Sequence, residues 1–382
     1  MADTSIEWAT KVWNPVRGCS IVSKGCTNCY AMKQAHRFAG PGGKYEGLTK
    51  MSRGGPVWTG EVRMVPEMLE APLRWRKPER VFVNSMSDLF HEDVPDEFID
   101  QVFAVMALCP QHTFQVLTKR PERMRAYMTA PVTGSWAGRV EPDEGAHWRV
   151  RAAMTEMLST CPARALNDAV AWQESHFPEG DGFMRRWPLP NVWLGVSVED
   201  QATADERIPL LLETPAAVRW VSFEPALGLV DFTSIKHTAG PGYFGDCLQW
   251  YHKPDAAGDQ PFGALDWVVV GGESGRGARP FDVEWARSTV RQCKAAGVPV
   301  FVKQIGAKPF ERQPSLDKGF AGRDLLDVMN RPRPPQMNGW GRITTATETF
   351  YQRHLDLNDR KGGDMEEWPA DLRVREWPEV RS

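Results

Sequence analysis

Residues 267–302 read WVVVGGESGRGARPFDVEWARSTVRQCKAAGVPVFV, and this stretch decides the fold class of the chain. It begins with a short apolar run at 267–270, which is typical of a buried strand. A segment with helical periodicity follows at 283–296 and stops at Gly297, the residue type that most often ends helices. A second apolar run at 300–302 completes a strand–helix–strand unit. Because both strands are apolar throughout, the unit predicts a parallel sheet that is covered on both faces.

The same pattern recurs along most of the chain. Further strands are predicted at 81–83, 113–117, 192–196 and 218–221, with a first strand before Cys19. Helices are predicted at 31–38, 95–108, 121–128, 202–212 and 283–296. Seven strands favour an α/β fold of the (β/α) barrel type, partial or complete and TIM-like, although the pattern alone also allows an open sheet.

Two insertions and a tail interrupt this pattern. The insertions lie at about 130–188, with a helical piece near 148–158, and at 233–264, and they are either active-site lids or surface additions. Beyond residue 307 the alternation of strands and helices is lost. We therefore predict a barrel domain over 1–307 and a C-terminal extension over 308–382 that packs on the barrel or on a partner.

Composition narrows the class of protein. The chain has 382 residues, 42% of them apolar, which is enough for a large hydrophobic core. Its net charge of −3 gives no support for non-specific attraction to nucleic acid. A local basic surface is compatible with these numbers. No leader segment is evident and the longest apolar stretch, at 102–109, is too short to cross a bilayer, so we expect a cytoplasmic protein without membrane contact.

Polar residues follow six of the predicted strands. They are Ser85 and Asp88, Lys119, Ser197 and Glu199, Ser222 and Glu224, Gly271, Gly272 and Glu273, and finally Lys303 and Gln304. Barrel enzymes build their active sites at this end of the strands, so we expect one shared site with Glu224, Lys303 and Gln304 as catalytic residues. Lys119 and Lys303 are suited to hold a carboxylate or a phosphate, and Glu273 a metal or an amine. The alternative is that polar residues merely mark where buried strands end, with Glu273 capping a helix.

Three cysteines, Cys19, Cys26 and Cys29, occupy one short loop with the spacing C-x6-C-x2-C. Soft ligands clustered in this way favour zinc, copper(I) or an iron–sulfur cluster. The odd total of seven cysteines speaks against a disulfide framework, and the other four are expected to be ordinary thiols. Zinc would need a fourth ligand, for which His36 is the candidate. A zinc-stabilised accessory or binding protein without redox chemistry, and a cluster-bearing nucleic-acid-binding protein, are therefore alternatives to an enzyme.

The cysteine loop resembles the cluster loop of radical S-adenosylmethionine (SAM) enzymes, in which C-x3-C-x2-C follows the first strand of a (β/α) barrel. Several motifs together are similar to a poorly characterised phage and bacterial family, the three-Cys-motif proteins, which is regarded as radical-SAM-like. These motifs are WNP, GC, GCxxCYA, NSMSDLF, VLTKR, LGVSVE, SFEP and VGGESG. The similarity runs from about residue 6 to 310. The pair Cys29-Tyr30 is also similar to the loop of spore photoproduct lyases.

This resemblance implies a [4Fe–4S] cluster held by the three cysteines, with SAM bound to its free iron and cleaved to a radical that abstracts hydrogen from a substrate. It also implies a reductant protein of flavodoxin or ferredoxin type, a nucleic-acid base as substrate, and the host cytoplasm if the chain is phage-encoded. By position, Ser85 and Asp88 would bind the methionine end of SAM, and Ser197 and Glu199 the ribose. The run Gly271-Gly272-Glu273 resembles the Gly-Gly-Glu element of those enzymes, which there follows the second strand.

Overall fold

The computed structural model describes residue 4 and residues 6–131, 145–160, 187–236, 244–249, 252–253, 260–261, 263–275, 277–314, 340–344 and 349–379. Its centre is one seven-stranded sheet. The strands are β1 (Lys11–Trp13), β2 (Arg80–Val83), β3 (Thr113–Thr118), β4 (Val192–Val198), β5 (Val218–Phe223), β6 (Trp267–Gly271) and β7 (Val300–Gln304). All seven predicted strands are thereby confirmed.

The strands are parallel and lie in the sheet in the order in which they occur along the chain. A doubly wound sheet reverses its strand order part-way, and this one does not. The sheet curls into a half-barrel, compatible with a partial (β/α) barrel. β1 and β7 are its edges and do not pair with each other in the described part of the chain, so the barrel is partial rather than complete.

Helices accompany the sheet, and most of them pack on its outer face. They are α1 (Tyr30–His36), α2 (Asp96–Leu108), α3 (Pro121–Met128), α4 (Gly145–Thr160), α5 (Gln201–Leu212) and α6 (Val283–Ala296). α1 packs instead on the hairpin Thr49–Ser52/Gly55–Trp58, beside the cysteine loop. Two of them show why they begin and end where they do. α5 starts at Asp200, whose side chain accepts from the Thr203 N–H in a capping box, and α6 ends at Gly297 in the left-handed conformation, with φ +71°. The predicted helices are confirmed within two residues at each end.

Smaller elements surround the half-barrel. Antiparallel pairs are formed by Val16–Arg17 with Arg63–Met64, Thr49–Ser52 with Gly55–Trp58, Ile235–Lys236 with Phe244–Gly245, and His252–Lys253 with Gln260–Pro261. A further sheet contains Phe281–Asp282, Pro309–Pro314, Thr349–His354 and Trp340–Thr344. Single-turn 3₁₀ segments lie at Lys24–Cys26, Pro66–Met68, Pro72–Arg74, Met365–Glu367 and Ala370–Leu372. Of the first predicted insertion the structure describes α4, which packs on α2, and most of the remainder lies outside the described residues.

Apart from β2, which ends at Val83 as predicted, the strands from β3 to β7 run one or two residues further at their C-terminal ends than their apolar runs predict. Alternation continues into the polar residues, because apolar side chains such as Val196 and Val221 face the helices while Ser197 and Ser222 face the interior. The last residues of the strands therefore carry polar groups into the half-barrel.

Aromatic side chains fill the other end of the interior. Trp8, Phe82, Trp193, Trp220, Trp267 and Phe301 form one buried cluster. Trp377 of the C-terminal segment joins it, since its ring stacks on Trp267 at 5.1 Å and lies under the Arg80 guanidinium at 4.2 Å. Hydrogen bonds from Val302 N to Val374 O (2.8 Å) and from Glu376 N to Val300 O (3.0 Å) add this segment to the β7 edge. The C-terminal segment thus packs on the half-barrel.

Candidate functional site

A cavity of about 240 Å³ lies at the C-terminal ends of the strands, beneath the cysteine loop. Twelve of the fourteen predicted site residues line it: Cys19, Cys26, Cys29, Ser85, Asp88, Lys119, Ser197, Glu224, Gly272, Glu273, Lys303 and Gln304. Glu199 and Gly271 are not among the lining residues. The strand ends and the cysteine loop therefore form one site, as barrel geometry predicts.

The Asp88 carboxylate, after β2, is fully occupied by protein donors. It accepts from the Thr118 hydroxyl at 2.8 Å and from the Lys119 N–H and the Arg120 guanidinium, each at 3.1 Å. Arg120 in turn donates to the hydroxyl of Ser20, the neighbour of Cys19, at 2.5 Å. Asp88 therefore supports the first part of the cysteine loop through Arg120.

Glu199, after β4, supports the middle of the loop. Its carboxylate is 1% exposed and accepts from Ser23 Oγ at 2.8 Å and from Lys119 Nζ at 2.5 Å, and Arg207 lies 3.3 Å away on its other side. Burial raises the pKa of this carboxyl, but the charges of Lys119 and Arg207 outweigh burial and hold the pKa below its usual value. Gly25 packs directly on Glu199, because a Cβ there would come within 2.3 Å of the carboxylate.

Glu273, after β6, supports the end of the loop. Its carboxylate accepts from Asn28 Nδ2 at 3.0 Å, from the Arg279 N–H at 2.8 Å and from the Arg279 guanidinium. Burial raises the pKa of Glu273, but the bonds from Arg279 and Asn28 hold it below its usual value. Arg279 also donates to the Lys24 carbonyl at 3.0 Å. Asp88, Glu199 and Glu273 thus hold the cysteine loop in place at three points.

Glu224 and Lys303 form the ion pair that lines the cavity from β5 and β7. Lys303 Nζ lies 2.7 and 2.9 Å from the two carboxylate oxygens of Glu224, and Gln304 Nε2 donates to the same carboxylate at 3.2 Å. Gly271 permits this arrangement, because a Cβ there would lie 3.2 Å from Glu224 Oε1. Neither partner contacts the cysteine loop through these bonds, so both charges are available to a bound molecule.

Asn84 is a residue of the site that the sequence reasoning missed. It is 3% exposed, lines the cavity and adopts φ +59°, a left-handed conformation that Asn tolerates better than most residues. Its Oδ1 accepts from Val16 N at 3.3 Å, whereas its Nδ2 has no hydrogen-bond partner among the residues that the structure describes. A buried amide without a partner is costly, which is typical of a position that a ligand satisfies. Its place directly after an apolar strand was the signal in the sequence.

The three thiols line the cavity from the loop side and are free. Burial raises the pKa of Cys19 to about 12, and burial also raises that of Cys29, although the Ala31 and Met32 amides oppose the second shift. Among the residues that the structure describes, no three His, Cys, Asp or Glu side chains are grouped so that they could hold a metal ion. His36 is not among the residues that line the cavity, and its Nδ1 lies 3.0 Å from the Thr49 hydroxyl, so the described residues show no preformed zinc site with His36 as fourth ligand.

A family model described as "Protein of unknown function (DUF5131)" matches residues 3–334, most of the chain. This chain belongs to that family. No curated protein and no solved structure matches it. The DUF5131 match spans all seven strands and the cysteine loop, so the whole site lies within the region that the family model describes.

The remaining cysteines of this DUF5131 protein lie apart from the site. Cys109, Cys247 and Cys293 are buried in the core between sheet and helices, as expected of ordinary thiols, and Cys161 lies outside the described residues.

No helix in the described part of the chain is both long enough and apolar enough to span a bilayer. The site itself combines three features in one cavity: the loop with three thiols, the Glu224–Lys303 ion pair, and an apolar floor that includes Trp8 and Phe82.

Proposed function

We propose that this protein is a radical SAM enzyme, with a [4Fe–4S] cluster held by Cys19, Cys26 and Cys29. The observation that carries the proposal is that three free thiols of one loop line the same cavity at the C-terminal mouth of a half-barrel. When bound, the cluster and SAM together supply a carbon radical that takes a hydrogen atom from the substrate. A one-electron donor, of flavodoxin or ferredoxin type, is required.

The donor set suits an iron–sulfur cluster, because three soft thiolates of one loop would hold such a cluster and leave one of its irons open. The three thiols line one cavity, where the cluster would lie. None of the six described cysteines forms a disulfide, which also supports a reducing compartment such as the cytoplasm.

The protein's own residues have separate roles in this proposal. Asp88, Glu199 and Glu273 position the cysteine loop through Arg120, Ser23 and Asn28. Their direct contacts with SAM stay a prediction. The Glu224–Lys303 pair and the unpartnered amide of Asn84 orient the polar groups of SAM and substrate. Aromatic side chains at the cavity floor, such as Trp8 and Phe82, exclude water from a reactive intermediate.

Anaerobic reconstitution with iron and sulfide, followed by electron paramagnetic resonance, tests the proposal. We expect a reduced-cluster signal that shifts when SAM is added. Cys26→Ala should abolish the signal, whereas Cys293→Ala, which removes an equally free thiol from the core, should leave it intact. A protein that takes up no iron, or an equal effect of the two substitutions, would contradict the proposal. Retention of one equivalent of zinc instead would favour the zinc-stabilised binding protein.

A further inference from the structure

The charge of this protein is unevenly distributed. Residues 14–65, which contain the cysteine loop, α1 and the hairpin Thr49–Ser52/Gly55–Trp58, hold eight Lys and Arg but only two Asp and Glu. This basic module therefore carries a charge of +6, whereas the whole chain carries −3 and the remaining residues −9. The small net charge of the whole chain therefore does not reveal that this module is strongly positive.

The cations of the basic module are available to a partner. Seven of the eight are exposed, all but Arg17. In the part of the chain that the structure describes, none of these seven forms an ion pair, whereas exposed arginines elsewhere, such as Arg74 and Arg291, pair with carboxylates. Unpaired cations gathered in one module raise the local potential and attract polyanions.

The basic module meets the cavity at α1. Tyr30 lines the cavity with 48% of its surface exposed, and its hydroxyl donates to the Ser85 carbonyl at 2.8 Å. Lys33 and Arg37 follow on the same exposed side of α1, at spacings of three and seven residues. Lys50 of the hairpin is exposed too, but it lies on the hairpin face opposite Thr49, whose hydroxyl bonds to His36 of α1, so it does not continue this surface.

Aromatic side chains alternate with these cations. Phe38, directly after Arg37 and α1, is 56% exposed, and Tyr30 is the other exposed ring of this surface. Proteins that bind single-stranded nucleic acid combine cations along the backbone path with aromatic rings on which unpaired bases stack. An acidic protein partner would need the cations but would have no specific use for exposed rings.

We propose that the basic module binds single-stranded nucleic acid and leads one base into the cavity beside the cysteine loop. The proposal that this surface binds nucleic acid does not depend on the proposed function. The proposal that a base then reacts in the cavity rests on the proposed function. Lys33 and Arg37 contact phosphates, Phe38 stacks on a base, and the strand enters the cavity at Tyr30. The substrate class of the site is thus a nucleobase within a strand rather than a free metabolite.

Fluorescence anisotropy with the full-length protein and a labelled mixed-sequence DNA strand of about 16 nucleotides tests this surface. We expect binding that weakens with salt, with log K falling by about 0.7 per phosphate contact for each decade of salt. The double variant Lys33→Ala/Arg37→Ala should lose at least about fivefold in affinity and have a shallower salt slope. Phe38→Ala should weaken binding about fivefold or more without changing the slope, since stacking is worth at least about 1 kcal/mol.

The matched control is Arg76→Ala/Lys77→Ala, which removes the same charge from exposed positions. These positions precede β2 and so lie at the opposite end of the sheet from the cavity. Equal losses in both double variants, or no salt-dependent binding by the natural chain, would overturn the inference. Tighter binding of polyglutamate than of the oligonucleotide would assign the surface to an acidic protein, and preference for the duplex would refute single-strand binding. Because this assay needs no cluster, its outcome is independent of the resonance experiment.

Discussion

Replacing Glu199 with glutamine tests whether strand-end acids hold the cysteine loop. The Glu199 carboxylate is 1% exposed and lies against two cations, Lys119 at 2.5 Å and Arg207 at 3.3 Å. Arg207 is itself 1% exposed, so Glu199→Gln leaves a buried guanidinium without its counter-charge. Breaking a buried ion pair in this way costs about 3–5 kcal/mol. We expect Glu199→Gln to lower the free energy of unfolding by that amount near neutral pH.

The loss should depend on pH, because the pKa of Glu199 is lower in the folded protein than its usual value of 4.5. A carboxyl with a lowered folded pKa contributes stability that is complete above the unfolded pKa and disappears as pH falls through the folded pKa. The natural chain should therefore lose this contribution below about pH 4.5, while Glu199→Gln has none to lose. The difference in the free energy of unfolding between the natural chain and Glu199→Gln should therefore decrease as the solution becomes more acidic.

Urea unfolding followed by tryptophan fluorescence, at about pH 7 and at lower pH, measures both effects. Glu206→Gln is the matched control, since Glu206 lies on the same helix, is exposed and has no ion pair in the described structure, and it should change stability by less than about 0.5 kcal/mol. A loss below about 1 kcal/mol for Glu199→Gln, or a gap that does not depend on pH, would refute the assigned role of this carboxylate.

Three further substitutions test other parts of the site. Gly25→Ala places a Cβ 2.3 Å from Glu199, so we expect a cost of about 1–3 kcal/mol in urea unfolding together with reduced iron uptake on reconstitution. Trp377→Ala removes the ring that stacks on Trp267 at the β7 edge and should cost at most about 3–5 kcal/mol, measured in the same way, with iron uptake retained. Lys303→Met removes the cation of the cavity pair and should weaken SAM binding at least tenfold in calorimetric titration, with the cluster signal preserved.

The fold was predictable because its elements are locally encoded. Most strands of the half-barrel contain a short apolar run, as in β6, and two helices have a clear start or stop signal, at Asp200 and at Gly297. Such signals act over a few residues and need no knowledge of the tertiary contacts. Closure of the barrel could not be predicted in this way, because it depends on whether β1 and β7 meet, and no local signal specifies that contact.

The residues of the site were predictable as a set but not in their individual roles. Asp88, Glu199, Glu224 and Glu273 all follow parallel strands, whose C-terminal ends meet at one edge of the sheet. The alternation of side chains along each strand also predicts which face the polar residues occupy. Which of these acids contacts the loop depends on cations such as Arg279, which lies outside the strand-end runs and becomes a partner only in the folded chain. A resemblance by position cannot reveal partners of this kind.

The distribution of carboxylates in the site explains why this fold can support a three-thiol loop. Thiolates gathered on one short segment repel one another, so the segment must be held by contacts that do not involve the thiols themselves. The loop meets this requirement with Ser20, Ser23 and Asn28, one polar residue for each of three strand-end networks. β2, β4 and β6 supply the carboxylates of those networks and β3 adds Lys119 and Arg120, so β5 and β7 remain to present Glu224 and Lys303 to the cavity. Support of the loop and binding at the cavity thus fall on different strands, and mutations on the two sets of strands should separate cluster retention from substrate or SAM binding.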